Sequence, residues 1–105
     1  MTNLDMIELL TVVNILRNDD RRIPVRLSFA LNRNYQLLKD NYRAYQDTVE
    51  KYKDDELEGG KLDEIFAIDI GDIQLQKVVF KDIDGADLSI NEVEVIQRLM
   101  MDDGE

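Results

Sequence analysis

The sequence contains neither cysteine nor histidine. Without cysteine no disulfide framework and no thiolate zinc site can form, a composition in keeping with a reducing cytoplasm. Without histidine the chain lacks the usual general base near neutral pH and the commonest metal ligand. Carboxylates, lysine, tyrosine and hydroxyls are the side chains left for chemistry. No uninterrupted apolar run approaches the roughly 20 residues that span a bilayer. The first sixteen residues carry Asp5 and Glu8 and no basic leader, so they do not read as a signal peptide. Internal repeats, low-complexity stretches, glycine-rich phosphate loops, nucleophile elbows and metal-ligand clusters are missing as well. These absences together predict a cytoplasmic protein that is no enzyme, holds no cofactor or metal and engages no membrane.

What is present is enough for one modest core. The chain has 105 residues, of which 44% are hydrophobic. That predicts a single domain over residues 1–101, followed by a flexible acidic tail at 102–105.

The net charge of −10 is unevenly placed. Residues 1–53 hold nine Lys/Arg against seven Asp/Glu, whereas residues 54–105 hold four against sixteen. An acidic half repels nucleic acid and speeds encounter with a basic surface. Solubility alone would also account for it.

Helical and period-two patterns alternate along the chain. Thr2 or Asn3 can cap a first helix, with Asp5 in the position of a capping-box acid and apolar residues from Leu4 to Leu16 at helical spacing. Asn18-Asp19-Asp20 ends it. A long second helix follows Ile23-Pro24 and runs to about Tyr52 or Lys53, with Ile23, Val25 and Leu27 also compatible with an extended lead-in. Leu27, Leu31, Tyr35, Leu38, Tyr42, Tyr45, Val49 and Tyr52 form a heptad stripe on it. Other parts of the chain could cover this stripe. A second copy could do so too, which makes Tyr35, Leu38, Tyr42, Tyr45, Val49 and Tyr52 a candidate self-association seam in a homodimer.

After the Gly59-Gly60 break the period changes to two. Phe66, Ile68 and Ile70, then Ile73 and Leu75, flank Gly71-Asp72, which reads as a small antiparallel β-hairpin whose second strand continues through Val78 to Phe80 past a bulge near Gln76. Ser89 and Glu92 form a second capping box that opens a C-terminal helix with Val93, Ile96, Leu99 and Met100 on its apolar face. The expected fold is therefore α+β: a helical hairpin of an N-terminal and a long second helix, a β-hairpin and a C-terminal helix.

Three groups of polar residues invite a chemical reading. Asp82, Asp84, Asp87, Asn91 and Glu92 echo a calcium-binding loop, but Glu92 falls at the eleventh position instead of the twelfth and Asp87 stands where the loop needs glycine, so an acidic turn is the better reading. Arg17, Arg21, Arg22, Arg26 and Arg33 could meet phosphates, yet aspartates are mixed among them and aromatics are not interleaved. They are expected to pair with the acidic half instead of binding nucleic acid directly. Carboxylate pairs such as Asp63/Glu64 and Asp69/Asp72 are expected on the surface, where with Asp82, Asp84, Asp87, Glu92 and Glu94 they would make an acidic partner-binding face.

The segment from Ile73 to Met100, in which alternating apolar residues lead through Asp82-Ile-Asp84-Gly85-Ala-Asp87 and a Ser89 cap to an apolar helix, resembles the closing segment of a family of short, functionally uncharacterised proteins encoded by phages of Gram-positive bacteria. Ile23-Pro-Val-Arg-Leu-Ser-Phe-Ala-Leu31 resembles the family's earlier segment. The resemblance implies a phage origin and a helical hairpin with a small sheet, and it carries no catalytic residue. The expected function is that of a protein-binding protein, an acidic inhibitor of a host defence or DNA-handling protein whose surface mimics nucleic acid. The rival reading is a virion or tail-assembly component that self-associates through the heptad stripe.

Overall fold

The computed structural model describes residues 1–101, and the expected acidic tail lies outside the described residues. Helix α1 (Asn3–Asn18) begins where the sequence places it. Thr2 Oγ1 accepts from the Asp5 N–H at 3.2 Å, and the Asp5 carboxylate accepts from the Thr2 N–H at 3.1 Å, which satisfies two backbone donors that the first helical turn leaves unpaired. The helix buries Met6, Leu9, Leu10, Val12, Val13 and Leu16, too broad a set for a single neighbour.

Helix α2 (Val25–Val49) starts directly after Pro24, so the extended lead-in gives way to helix from Val25. Leu27, Ala30, Leu31 and Leu38 face the core. Arg17, in the last turn of α1, donates to Asn32 Oδ1 at 2.9 Å and lies 4.1 Å from the Tyr35 ring centre. Those contacts join the end of α1 to the first half of α2 and make the two helices antiparallel, the expected helical hairpin.

After α2 come the short α3 (Asp54–Glu56), a wide turn over Leu57–Lys61, and α4 (Leu62–Phe66). Gly60 takes φ 124° inside that turn, a conformation that a side chain disfavours. Beyond an extended stretch lie α5 (Phe80–Ile83) and α6 (Ile90–Met100). Helix α6 opens on the expected box: Ser89 Oγ accepts from the Glu92 N–H at 3.1 Å while Glu92 Oε1 accepts from the Ser89 N–H at 2.8 Å. Its first turn is tied to Arg21 beyond the end of α1, and Arg98 in its last turn is tied to Asp5 and Glu8 in the beginning of α1. Helix α6 is therefore antiparallel to α1 as well, and α1 is the central element flanked by α2 and α6.

The expected α+β fold is overturned: the chain is mostly helical, and among the described residues there is neither a strand nor a sheet. Phe66 ends a helix and Phe80 begins one, so both ends of the expected β-hairpin are helical. The residues between them form no ladder with each other, their one mutual backbone bond being the tight turn from the Leu75 N–H to Ile73 O at 2.9 Å. The Asn3 N–H donates to Ile68 O and the Ile70 N–H to Met1 O, each at 2.9 Å, while the Val78 N–H donates to Met100 O at 2.8 Å. These contacts amount to two isolated bridges, Thr2 with Asp69 and Val78 with Met101. Gly71 does turn the chain, at φ 89°, with its N–H donated to Asp69 Oδ1 at 2.8 Å.

The physical reason lies in where the apolar side chains find cover. Leu75, Val78 and Ile83 enter the same core as the helices, with Ile70 and Ile73 packed against it. Each inserts among helical side chains and not opposite a facing strand. The expected bulge near Gln76 is also absent. Both backbone groups of Gln76 bond to Asn34, an amide with no exposed surface, through a 3.1 Å bond to Gln76 O and a 2.7 Å bond from its N–H. Sequence-distant partners thus supply the hydrogen bonds that a ladder would otherwise provide.

Candidate interaction surface

The nine carboxylates expected to form one acidic face fall into two kinds. Asp82 and Glu92 are buried, at 8% and 5% exposure. Asp82 Oδ2 accepts from the Val79 N–H at 3.0 Å and so closes the first turn of α5, with Arg26 Nε 3.9 Å from its other oxygen. Glu92 receives the Arg21 guanidinium in a two-pronged contact, Nη1 to Oε1 at 2.8 Å and Nη2 to Oε2 at 2.9 Å. The hydrogen bonds from Arg21 hold the Glu92 carboxyl below its ordinary range against the opposing effect of burial. Reciprocally, Glu92 raises the Arg21 pKa. Arg21 also bonds Asp19 Oδ2 at 2.9 Å and Asp87 O at 3.1 Å, so it binds the end of α1 to the turn before α6. In the acidic turn, then, Asp82 and Glu92 serve the fold.

The other seven, Asp63, Glu64, Asp69, Asp72, Asp84, Asp87 and Glu94, are exposed. Glu64 pairs with Lys61 at 3.3 Å, and Asp69 lies 3.6 Å from the terminal ammonium of Met1. Among the described residues Asp63, Asp72, Asp84, Asp87 and Glu94 make no ion pair. Apart from Glu94, which lies on α6, the seven divide by location. Asp69 and Asp72 border Met1 and the start of α1, and Asp63 and Glu64 lie on α4, whose Ile65 O accepts from Asn3 Nδ2 at 2.9 Å. Asp84 and Asp87 lie toward Arg21, beyond the other end of α1. The two groups are separated by a helix of 16 residues, about 24 Å long at 1.5 Å per residue.

Sequence reading did not single out Asp54, Asp55, Glu56 and Glu58, which are exposed on α3 and the turn beyond it. They count in the acidic half from residue 54 onward but were not among the residues expected to form the face. With Asp63 and Glu64 they make the end of the molecule beyond α2 strongly acidic, relieved by Lys51, Lys53 and Lys61. Arg21, Arg98 and Arg17 are engaged away from it, the first two at α6 and the third over Tyr35.

The tyrosine stripe faces inward over much of its length. Leu38 is fully buried, and Tyr35, Tyr42 and Tyr45 are partly buried against the core. Tyr45 stacks between Tyr42 and Phe66, with ring centres 6.1 Å away on each side. Burial, with Tyr42 alongside, raises the Tyr45 pKa. Val49 is half-buried, and Tyr52 is 36% exposed.

No group of three or more Asp or Glu side chains among the described residues is arranged to hold a metal ion, and the acidic turn does not converge as a calcium loop would. No helix among them is long and apolar enough to cross a membrane. In comparisons with protein-family models, curated proteins and solved structures, nothing matched the chain.

Proposed function

We propose that the protein is a non-enzymatic, phage-encoded binding protein that sets exposed carboxylates against a basic surface of a host protein, one that handles DNA or defends against foreign DNA. The observation that carries this reading is the set of exposed carboxylates left without a cationic partner, Asp63, Asp72, Asp84, Asp87 and Glu94, together with the acidic run Asp54 to Glu58. Solubility asks only for dispersed charge, whereas here unpaired carboxylates gather at the ends of the molecule while Arg21 and Arg98 are tied to α6.

A groove built for nucleic acid is basic and would receive such carboxylates as it receives phosphates. The contact surface consists of the exposed acids. Asp82 and Glu92 contribute through the fold.

Capture from a host lysate at low and high salt tests the reading. The expected result is a basic host protein that is retained at low salt, released as salt rises and displaced by DNA. Combining Asp63→Asn and Glu64→Gln, or Asp84→Asn and Asp87→Asn, should weaken its capture. Retention that is indifferent to DNA and to all four substitutions would overturn the proposal.

A further inference from the structure

From Arg21 to Lys39 the chain carries five cationic side chains, Arg21, Arg22, Arg26, Arg33 and Lys39, and not one carboxylate. Arg21 is engaged by Asp19 and Glu92. Among the described residues Arg22 and Arg33 have no ion pair, and Arg26 has only the 3.9 Å contact with Asp82. Along its first half, α2 thus presents cations alone in a chain whose net charge is −10.

An open depression of about 540 Å³ lies where this half of α2 meets the end of α1, lined by Arg17, Phe29, Asn32, Arg33, Gln36 and Leu37. No carboxylate lines it. Arg17 is already held there: its Nε–H donates to Asn32 Oδ1 at 2.9 Å, and its guanidinium lies 4.1 Å from the Tyr35 ring centre. Among the described residues its two Nη groups have no partner. A guanidinium offers such N–H donors as a planar fork that matches two oxygens of one anion. Asn32 accepts from Arg17 through its carbonyl oxygen, so its amide N–H groups remain for an acceptor. Arg33, next to Asn32 and exposed, brings a second positive charge. Phe29 and Leu37, 58% and 37% exposed, add apolar surface.

We propose that this depression binds a nucleoside monophosphate, with the phosphate on Arg17 and Arg33 and the base against Phe29. Its volume falls within the range of about 300–1,000 Å³ usual for small-molecule sites. A phosphate monoester carries a charge of about −1.5 to −2 near neutral pH, which answers two guanidinium groups better than a single carboxylate does. Every base has a flat π face to lay on an aromatic ring. The net charge of −10 opposes an approaching anion, but at about 0.15 M salt charges more than roughly 8 Å away are largely screened. The site shares no residue with the exposed acids of the proposed binding surface, so it stands or falls apart from that reading.

Titration of the whole chain with adenosine monophosphate, inorganic phosphate and adenosine, followed by amide and guanidinium NMR shifts at physiological salt, is the test. Circular dichroism confirms that each variant folds. The nucleotide should saturate shifts at Phe29, Asn32, Arg33 and Gln36 and at the Arg17 Nε–H, while phosphate alone and adenosine alone should each bind at least about tenfold more weakly. Arg33→Gln and Phe29→Ser should each weaken nucleotide binding by about tenfold without unfolding the chain. Arg22→Gln, outside the depression, should leave it unchanged. Failure of the nucleotide to saturate, shifts centred on Arg22 and Arg26, phosphate or adenosine binding as tightly as the nucleotide, or undiminished binding by Arg33→Gln would each overturn the proposal.

Discussion

The side-chain amide of Asn34 and the backbone of Gln76 pair reciprocally: Asn34 donates to Gln76 O at 3.1 Å and accepts from the Gln76 N–H at 2.7 Å. A buried amide on a helix thereby acts as one rung of a strand for an extended segment that has no neighbouring strand. Both Gln76 groups would lose these partners if the amide were removed, and since Gln76 itself is exposed the loss is that of two ordinary hydrogen bonds, about 0.5–1.5 kcal/mol each. Asn34→Leu should therefore destabilise the chain by roughly 1–3 kcal/mol despite its greater hydrophobicity, as measured by urea unfolding. An unchanged midpoint would contradict the pairing.

Glu92 and Arg21 make stability depend on acid. The pKa of Glu92 is depressed in the folded chain below its ordinary 4.5, so the unfolded chain binds a proton more readily. The resulting stabilisation is fully present above that ordinary value and is lost as pH falls through the lower folded value. Asp5 acts in the same sense: burial pushes it up, but hydrogen bonds from Thr2 and Arg98 leave it below its ordinary 3.8. Melting temperature should fall as pH drops below about 4.5, and Glu92→Gln should be less stable at neutral pH with a shallower acid slope. An unaltered slope would show that the pair is not coupled to folding.

Within the acidic turn, neighbouring aspartates should behave differently. Asp82→Ala removes the acceptor for the Val79 N–H and should cost about 1 kcal/mol, the usual scale for a lost helix cap. Asp84→Asn and Asp87→Asn touch exposed side chains and should leave the melting temperature nearly unchanged. Thermal melts of the three variants check this contrast.

The adjacent glycines Gly59 and Gly60 offer another. No atom would crowd a Cβ at either, but Gly60 sits at φ 124° and Gly59 does not share that conformation. Gly60→Ala should destabilise by about 1–3 kcal/mol through backbone strain. Gly59→Ala should be neutral or stabilise by up to about 1 kcal/mol, since it restricts the unfolded chain. Chemical denaturation of the two variants would separate strain from crowding.

The parts of this fold that sequence revealed are those whose causes are local. Thr2 with Asp5, and Ser89 with Glu92, are three residues apart, and each pair marks a helix start correctly. The apolar spacing of α1 and α2 likewise follows from one helical period. The period-two pattern from Phe66 to Leu75 was misleading because alternation records only that every second side chain is covered, and here helices provide much of the cover. Asn34 was invisible as a structural residue, since its partner is 42 positions away. The acidic face was legible as composition but not as geometry. Nothing in the spacing of Asp82 and Glu92 distinguishes a buried carboxylate from an exposed one until Arg26 and Arg21 are brought beside them.

The extended stretch between α4 and α5 has consequences for the order of events in folding. Its backbone is held by Met1, Asn3, Asn34 and Met100, residues that come together only after the helices have assembled. It can have little structure of its own early on, because closing such long loops must precede the contacts that reward it. The stretch should consequently be among the last segments to settle and the first to open in the native state, setting the slow step of folding while the helices on either side form fast.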